Sequence, residues 1–230
     1  MDNIDEILNH AAAAPHPVNP ALLDSIARSI GADLRPVRPV PPRWLLTGGL
    51  VLVAAAIATA GAAVLGFHGV QNLTAIDRAL LFPLLALLLW LAAAACVGEI
   101  TPGSRRFVSP RFLLVGGILS LLAVFAILFR DYQTINFLSQ GIACLTAGLL
   151  IAVPTALGVW FVLRRGFAVN PVSAGTVAGT LAGLAGVAML ELHCPNFEVF
   201  HVMLWHTGVV LVSAAAGAWL GILRNAALRQ

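Results

Sequence analysis

The 230-residue sequence has no lysine, and charged side chains make up only 10% of it. A soluble protein of this size carries about a quarter charged residues. Several windows of roughly 20 residues contain no charge, which is the length that an α-helix needs to cross the hydrocarbon of a bilayer. With a mean hydropathy of +0.93, the composition excludes a water-soluble domain and indicates a polytopic α-helical membrane protein.

Motifs of common enzymes are also missing. The chain has no phosphate-binding loop, no nucleophile elbow and no HExxH motif. The loops between apolar runs are too short for a catalytic domain, so we expect that the protein is not an enzyme. No acid or arginine lies near the middle of an apolar run, which disfavours a proton-coupled transporter. No apolar run precedes Trp44, and we therefore expect no cleavable signal peptide.

Six apolar runs are long enough to cross a bilayer as helices. They lie at about 44–66, 78–98, 111–129, 138–163, 171–190 and 202–223. We therefore predict an all-α fold, a polytopic membrane protein with six transmembrane helices and a short amphipathic N-terminal arm. The predicted parts are the arm with a Pro-rich linker (1–43), the six-helix domain (44–223) and a tail (224–230).

Glycine recurs at every fourth residue of the fifth run, at Gly175, Gly179 and Gly183. Small residues at this spacing let a neighbouring helix approach closely. We expect that neighbour to belong to the same chain, and a dimer face is the alternative.

Arginine is unevenly distributed along the chain, and its distribution predicts the orientation. If the N-terminus is cytoplasmic, eleven of the thirteen arginines lie in cytoplasmic segments, and only Arg78 and Arg130 lie in outer loops. Segments rich in basic residues stay on the cytoplasmic side of a membrane. We therefore predict that both termini are cytoplasmic and that the turn at 191–201 faces outward.

The arm contains two short amphipathic segments. Apolar residues recur at three- and four-residue spacing over about 3–13 and 20–31, which predicts two helices. Asn19 is a candidate N-cap, with Pro20 at the first helical position. The apolar faces are too small to form a core, so we expect them to contact a partner protein or the bilayer surface. The candidate contact residues are Ile7, Leu8, Leu22, Leu23, Ile26 and Ile30.

Acidic residues dominate the arm, with five against Arg28 and Arg35. This balance disfavours binding to anionic lipid and favours a protein partner. Residues 34–43, LRPVRPVPPR, follow the second amphipathic segment. Four prolines in ten residues favour an extended, semi-rigid spacer. Because most of the basic residues lie beside helix ends, the high pI does not indicate contact with nucleic acid.

The stretch from Glu191 to His206, ELHCPNFEVFHVMLWH, concentrates possible metal ligands. It holds three of the six histidines and one of the three cysteines, and these side chains bind soft and borderline metal ions. His201 and His206 are five residues apart, about 140° around an α-helix, so the spacing predicts a poor pair for one ion. Cys194 with His193 and His201 is a better set, and Glu191 and Glu198 are candidates to complete it. Ordinary polar residues at a turn between two membrane helices are the alternative interpretation.

A second cysteine, Cys144, lies about 9 Å below the outer end of the fourth predicted span, at ~1.5 Å per residue. It meets Cys194 if the fourth and fifth helices are neighbours, and an outward location permits a disulfide. Cys96 lies at the inner end of the second span and cannot join them. The alternative is that Cys144 is a small buried apolar residue.

Two stretches together resemble a known family. LRPVRPVPPR before the first span and LHCPN…WH (192–206) between the last two spans are similar to the NrsF-type family of six-span membrane anti-sigma factors. The resemblance implies a protein of the bacterial cytoplasmic (inner) membrane that takes part in a stress response. It further implies that the arm of this protein holds an extracytoplasmic-function sigma factor. It also implies that outward cysteines sense heavy metals or oxidants, with Cys194 as the LHC cysteine and Cys144 as the second.

We therefore expect sensor residues Cys194, Cys144, His193 and His201, with no resident cofactor and at most a transient heavy-metal ion. The expected partners are a sigma factor and the lipid bilayer, without direct contact to nucleic acid. A small transporter or channel is one alternative, and a membrane metal-binding or redox protein without a regulatory arm is the other.

Overall fold

The computed structural model describes residues 19–33, 41–101, 109–134, 136–164 and 170–227, together with Ile4, Glu6, Asn9 and Ala168. The chain forms two compact units, residues 1–40 and residues 41–230.

The first unit contains helix α1, Pro20–Asp33. The side-chain oxygen Oδ1 of Asn19 accepts a hydrogen bond of 3.0 Å from the amide of Ala21, so the predicted N-cap is confirmed. Four predicted contact residues are 45–57% exposed: Leu22, Leu23, Ile26 and Ile30. The other two, Ile7 and Leu8, lie outside the described residues, as does most of the helix predicted at 3–13.

The second unit is a bundle of helices. They are α2 Arg43–Leu65, α3 His68–Asn72, α4 Ala75–Ile100, α5 Pro110–Leu128, α6 Phe137–Leu163, α7 Pro171–His193 and α8 Val199–Ala227. All except the short α3 are long and apolar enough to cross a membrane, which confirms the predicted six-span all-α fold. Extended pairing within the described residues is limited to one bridge between Asp131 and Glu198.

Local sequence explains where several of these helices begin. Thr74 and Asp77 form a reciprocal capping box at the start of α4. The side chain of Asn170 accepts a hydrogen bond of 3.1 Å from the amide of Ser173 at the start of α7, and Pro171 occupies the first helical position, where no amide donor is needed. These caps satisfy amides that have no partner within the helix.

Helix α7 is the centre of the bundle. In its most apolar 18-residue window 67% of the residues are buried, compared with 22% or less in α2, α5 and α6. A side-chain carbon added at Gly175 would overlap the carbonyl of Gly217, and one added at Gly179 would overlap that of Ser213. The glycine repeat therefore packs α7 against α8 of the same chain, as predicted.

A second close approach joins α7 to α6. A carbon added at Gly186 would lie 2.5 Å from the carbonyl oxygen of Gly148. Cys144 lies one helical turn before Gly148, and Cys194 lies eight residues after Gly186. Because the two helices are antiparallel, moving back along α6 to Cys144 and forward along α7 to Cys194 leads to the same end of the bundle. The helix contact thereby positions the two cysteines.

The opposite end of the bundle carries a different buried polar pair. The hydroxyl of Ser173 donates a hydrogen bond of 2.8 Å to Glu99 Oε1 and links the start of α7 to the end of α4. The fully buried Cys96 lies on α4 one turn before Glu99. The bundle therefore has one end at the Ser173–Glu99 pair and the other at the two cysteines.

Candidate metal-binding site

Two cysteines form the core of the candidate site. Pro195 disfavours a helical conformation at Cys194, and α7 accordingly ends at His193 with Cys194 in an extended conformation. The sulfur atoms of Cys194 and Cys144 are 3.4 Å apart, and both thiols are free. Cys194 is buried and Cys144 is half-buried.

Two histidines on α8 complete the group. His201 immediately precedes a π-helical turn, Val202–His206, and His206 ends it. Hydrogen bonds in a π-helix join residues five apart, so this turn brings the two imidazoles together. Their ring centroids are 5.5 Å apart, and both side chains are fully buried. The prediction that they form a poor pair is wrong, because it assumed α-helical geometry.

The four side chains offer ligand atoms at spacings close to those of a tetrahedral site. One atom each from Cys144, Cys194, His201 and His206 lies within 4.8 Å of every other. The Cys194 sulfur is 3.7 Å from Nε2 of His201. Metal–ligand bonds of about 2.0–2.3 Å in a tetrahedron place the ligand atoms roughly 3.3–3.8 Å apart. The donor set therefore matches a zinc-like ion in ligand type, and its atoms lie close to the spacing that such an ion requires.

A buried carboxylate orients one of these imidazoles. Nδ1 of His206 donates a hydrogen bond of 2.7 Å to Oε1 of Glu191, and neither side chain is exposed. This bond leaves Nε2 as the ligating nitrogen, and Nε2 has no hydrogen-bond partner within the described part of the chain. Metal-binding histidines commonly donate their second nitrogen to a carboxylate in this way.

The environment of Cys194 keeps its sulfur protonated in the absence of an ion. The hydrogen bond with Cys144 and burial raise the pKa of the Cys194 thiol, while His201 and His206 oppose this by lowering it. A coordinating metal ion deprotonates a thiol outright. The site is therefore arranged so that a cation can replace the proton.

His193 does not join this cluster. Its Nδ1 lies 2.9 Å from the carbonyl oxygen of Gly66, and its ring centroid is 6.0 Å from that of His68. Neighbouring residues at a helix end point in different directions, which separates His193 from Cys194. The structure thus brings together three of the four predicted sensor residues, namely Cys144, Cys194 and His201.

Sequence reasoning missed His206 as a ligand and took Glu191 as a possible ligand, whereas the structure gives Glu191 a positioning role beside His206. The available signal was an acid and a histidine in the apolar ends of two consecutive spans. Their pairing requires α7 and α8 to approach closely, and the ring direction of His206 requires the π-turn. Neither feature follows from local spacing.

Fold and site together define a class, a six-helix membrane protein with a buried thiol–imidazole cluster at one end of its bundle. A family model described as NrsF, negative regulator of sigma F, matches residues 30–224. The chain therefore belongs to the NrsF family, and it is an anti-sigma factor whose partner is a sigma factor. This family is a class of regulators and not of enzymes. No curated protein and no solved structure matches the chain.

The extent of the family match separates two parts of the chain. It includes five of the six spanning helices in full, α8 as far as Arg224, and the four residues of the cluster. It begins at Ile30, so most of the exposed apolar residues of α1 precede it. Any role of α1 therefore depends on its own sequence and exposure. Among the three function classes left open by the sequence, the match supports the regulator.

Proposed function

We propose that this anti-sigma factor of the bacterial cytoplasmic membrane holds an extracytoplasmic-function sigma factor with its N-terminal arm. It releases that factor when a heavy-metal ion or an oxidant reaches the pair Cys144 and Cys194. The observation that supports the proposal is the presence of two unlike features in one chain. One is an exposed apolar stripe on α1, and the other is a buried thiol–imidazole cluster in the bundle.

The distribution of arginine supports a cytoplasmic arm and an outward cluster. Six spans return the chain to the side on which it began. Placing both termini in the cytoplasm puts eleven of the thirteen arginines on that side, as the positive-inside rule requires. The Cys144–Cys194 end of the bundle then faces outward, where external metal ions and oxidants arrive and where disulfides persist.

The stripe on α1 suits the binding of a protein groove. Leu22, Ile26 and Ile30 follow one another at four-residue spacing, so they share one face of the helix. Each is roughly half exposed, and burying such a side chain in a partner contributes about 1.5–3 kcal/mol. An amphipathic helix that presents anchors at this spacing typically docks in an apolar groove. We assign the sigma factor as the owner of that groove.

The cysteine pair is suited to either of the two proposed signals. A soft or borderline metal ion binds both sulfurs as thiolates. An oxidant instead takes two electrons from the pair, two protons leave, and a bond of about 2.05 Å forms between the sulfurs. At 3.4 Å the sulfur atoms are already adjacent. Either event replaces the contact between the two thiols, and therefore between α6 and the end of α7, with a metal bridge or a covalent bond.

The central helix connects this event to the cytoplasmic end. Helix α7 begins near Ser173, which is hydrogen-bonded to Glu99 of α4, and it ends at His193, directly before Cys194. Its glycine seam with α8 leaves little room for bending, so a change at one end shifts the whole element. A signal is transmitted only if the ligand favours one arrangement of helices over another.

Acidic substitutions in the α1 stripe test the arm. The full-length variant Leu22→Asp/Ile26→Asp should lose capture of the sigma factor, because two charges disrupt the apolar face. The matched control Ala21→Asp/Ser25→Asp adds the same charge at the same spacing on another face of α1. Capture is measured with the detergent-purified chain, and repression is measured with a sigma-dependent reporter. The arm assignment is wrong if the stripe variant captures and represses as well as the control.

A further inference from the structure

The cluster contains more ligands than a two-cysteine sensor requires. We infer that it is a closed tetrahedral Cys2His2 site for a divalent ion of the Zn²⁺ and Cd²⁺ class, with His206 as the fourth ligand and Glu191 as its positioning residue. This inference deepens the proposed function, on which its regulatory meaning rests. Binding of the ion is measurable without the sigma factor.

The unused nitrogen of His206 is the first argument. Nε2 is buried and has no hydrogen-bond partner within the described residues, although Nδ1 of the same ring is paired with Glu191. An unsatisfied buried polar atom is energetically unfavourable. A bound ion removes this cost, whereas a disulfide between Cys144 and Cys194 leaves it in place. The geometry therefore favours coordination over simple thiol oxidation.

Charge is the second argument. The site lies among apolar helices, where an isolated net charge is costly. A divalent ion with two thiolates and two neutral imidazoles forms a coordination shell without net charge, beside the Glu191 carboxylate that His206 hydrogen-bonds. Binding releases one proton from each thiol, so that M²⁺ and two S–H groups give a bis-thiolate complex and two H⁺. The donor set thus matches a divalent ion and also suits a tetrahedral, borderline-soft one.

The closed character of the site is the third argument. Four protein side chains each supply one ligand atom, which is the number that a tetrahedral shell needs, and all of these residues except Cys144 are fully or almost fully buried. Catalytic zinc sites keep one position for water or substrate, whereas structural sites use four protein ligands. The arrangement therefore binds an ion without activating water. Its ligands come from α6, the end of α7 and α8, so occupancy ties three helices together.

Metal titration of the full-length, reduced and metal-free chain in detergent tests the inference. Co²⁺ should bind once per chain with the strong visible absorption of a tetrahedral site and thiolate charge-transfer bands, and Zn²⁺ or Cd²⁺ should displace it. X-ray absorption of the Zn²⁺-loaded wild-type chain should show two sulfur and two nitrogen neighbours. This measurement needs no variant, so it does not depend on the folding of a mutant.

Variants then assign the individual roles. His206→Ala should weaken Co²⁺ binding by at least tenfold and change the tetrahedral spectrum, and Glu191→Gln should weaken it by roughly tenfold while keeping that spectrum. His193→Ala is the matched control and should bind as the wild type does. The site is overturned if the ion has no nitrogen neighbours, or if His206→Ala binds Co²⁺ normally.

Failure of the site and failure of the proposed function are distinguishable. The chain with Leu22→Asp/Ile26→Asp should bind Co²⁺ normally although it no longer captures the sigma factor. A wild-type chain that binds Zn²⁺ with two sulfurs and two nitrogens, but captures the sigma factor equally with and without the ion, would overturn regulated release and leave the site intact. A chain that captures the factor but shows no metal binding would overturn the site and leave the arm.

Discussion

Helices α1 and α7 are opposite extremes of burial. Every described side chain from Asn19 to Gly31 is exposed, whereas 67% of the spanning window of α7 is buried. Both helices nevertheless carry a regular four-residue repeat. In α1 the repeated residues are leucine and isoleucine, and in α7 they are glycine.

The size of the repeated residue explains the difference. Glycine lets two helix backbones approach until a single added carbon would overlap them, as at Gly179. Large side chains such as Leu22 instead require a groove, and they remain exposed in the structure. The repeat in α7 therefore stabilises the fold, and we expect the repeat in α1 to serve binding. Substitutions in the two helices should separate these effects.

The largest effect is expected at the seam of α7. Gly179→Leu should lower the free energy of unfolding by about 3 kcal/mol or more, because the new side chain meets the backbone of α8, which cannot move aside. The matched control is Gly116→Leu in α5, where nothing lies within 4 Å of an added carbon. Thermal unfolding in detergent and the yield of monodisperse protein measure the difference. Equal stability of the two variants would mean that α7 and α8 do not pack as described.

The next largest effect is expected at the end of α7, where a substitution should remove the response to metal without changing the binding of the sigma factor. Cys194→Ala should abolish release of the sigma factor by Cd²⁺ while leaving its capture unchanged, because α1 is untouched. Cys96→Ala is the control, since Cys96 is buried at the other end of the bundle. Capture assays with and without Cd²⁺ give the result. If Cys194→Ala still releases the factor, the sensor role passes to other residues.

The smallest effect is expected from a single truncation in α1. Leu22→Ala should weaken capture of the sigma factor by about tenfold, since the loss of a partly buried leucine contact costs roughly 1–2 kcal/mol. The unfolding temperature of the bundle should not change. Titration of the factor onto the full-length chain measures the affinity. A variant that unfolds at a lower temperature but captures the sigma factor normally would mean that Leu22 stabilises the fold and does not serve binding.

The spans were predictable because a bilayer demands long apolar helices with all backbone groups paired. The main deviation is at the last two helices, which were predicted at 171–190 and 202–223. The structure extends them to Pro171–His193 and Val199–Ala227. The prediction stopped at the first polar residues. These residues are Glu191 and His201, and both are fully buried in the bundle, so neither residue forces the helix to end.

The candidate site was only partly predictable. Cys194 was placed correctly at a turn, because Pro195 acts on its immediate neighbour. Which of His193 and His206 joins the cysteine cluster was not predictable, since it depends on the directions in which the two rings point. His193 turns toward Gly66, and the π-turn directs His206 toward the cysteines. Helical periodicity alone places His206 on a different side of α8 from His201, because it does not include the π-turn.

By itself, the sequence determined the number and approximate limits of the six spanning helices, the start of α1 at its Asn19 cap and the apolar face of that helix. These features depend on the properties of short segments, namely length, apolarity and local hydrogen bonding. Only the tertiary structure decided which donors meet at the cluster. The close approach of Gly148 and Gly186 and the π-turn before Thr207 set those positions, and neither feature follows from the apolarity or the periodicity of a single segment.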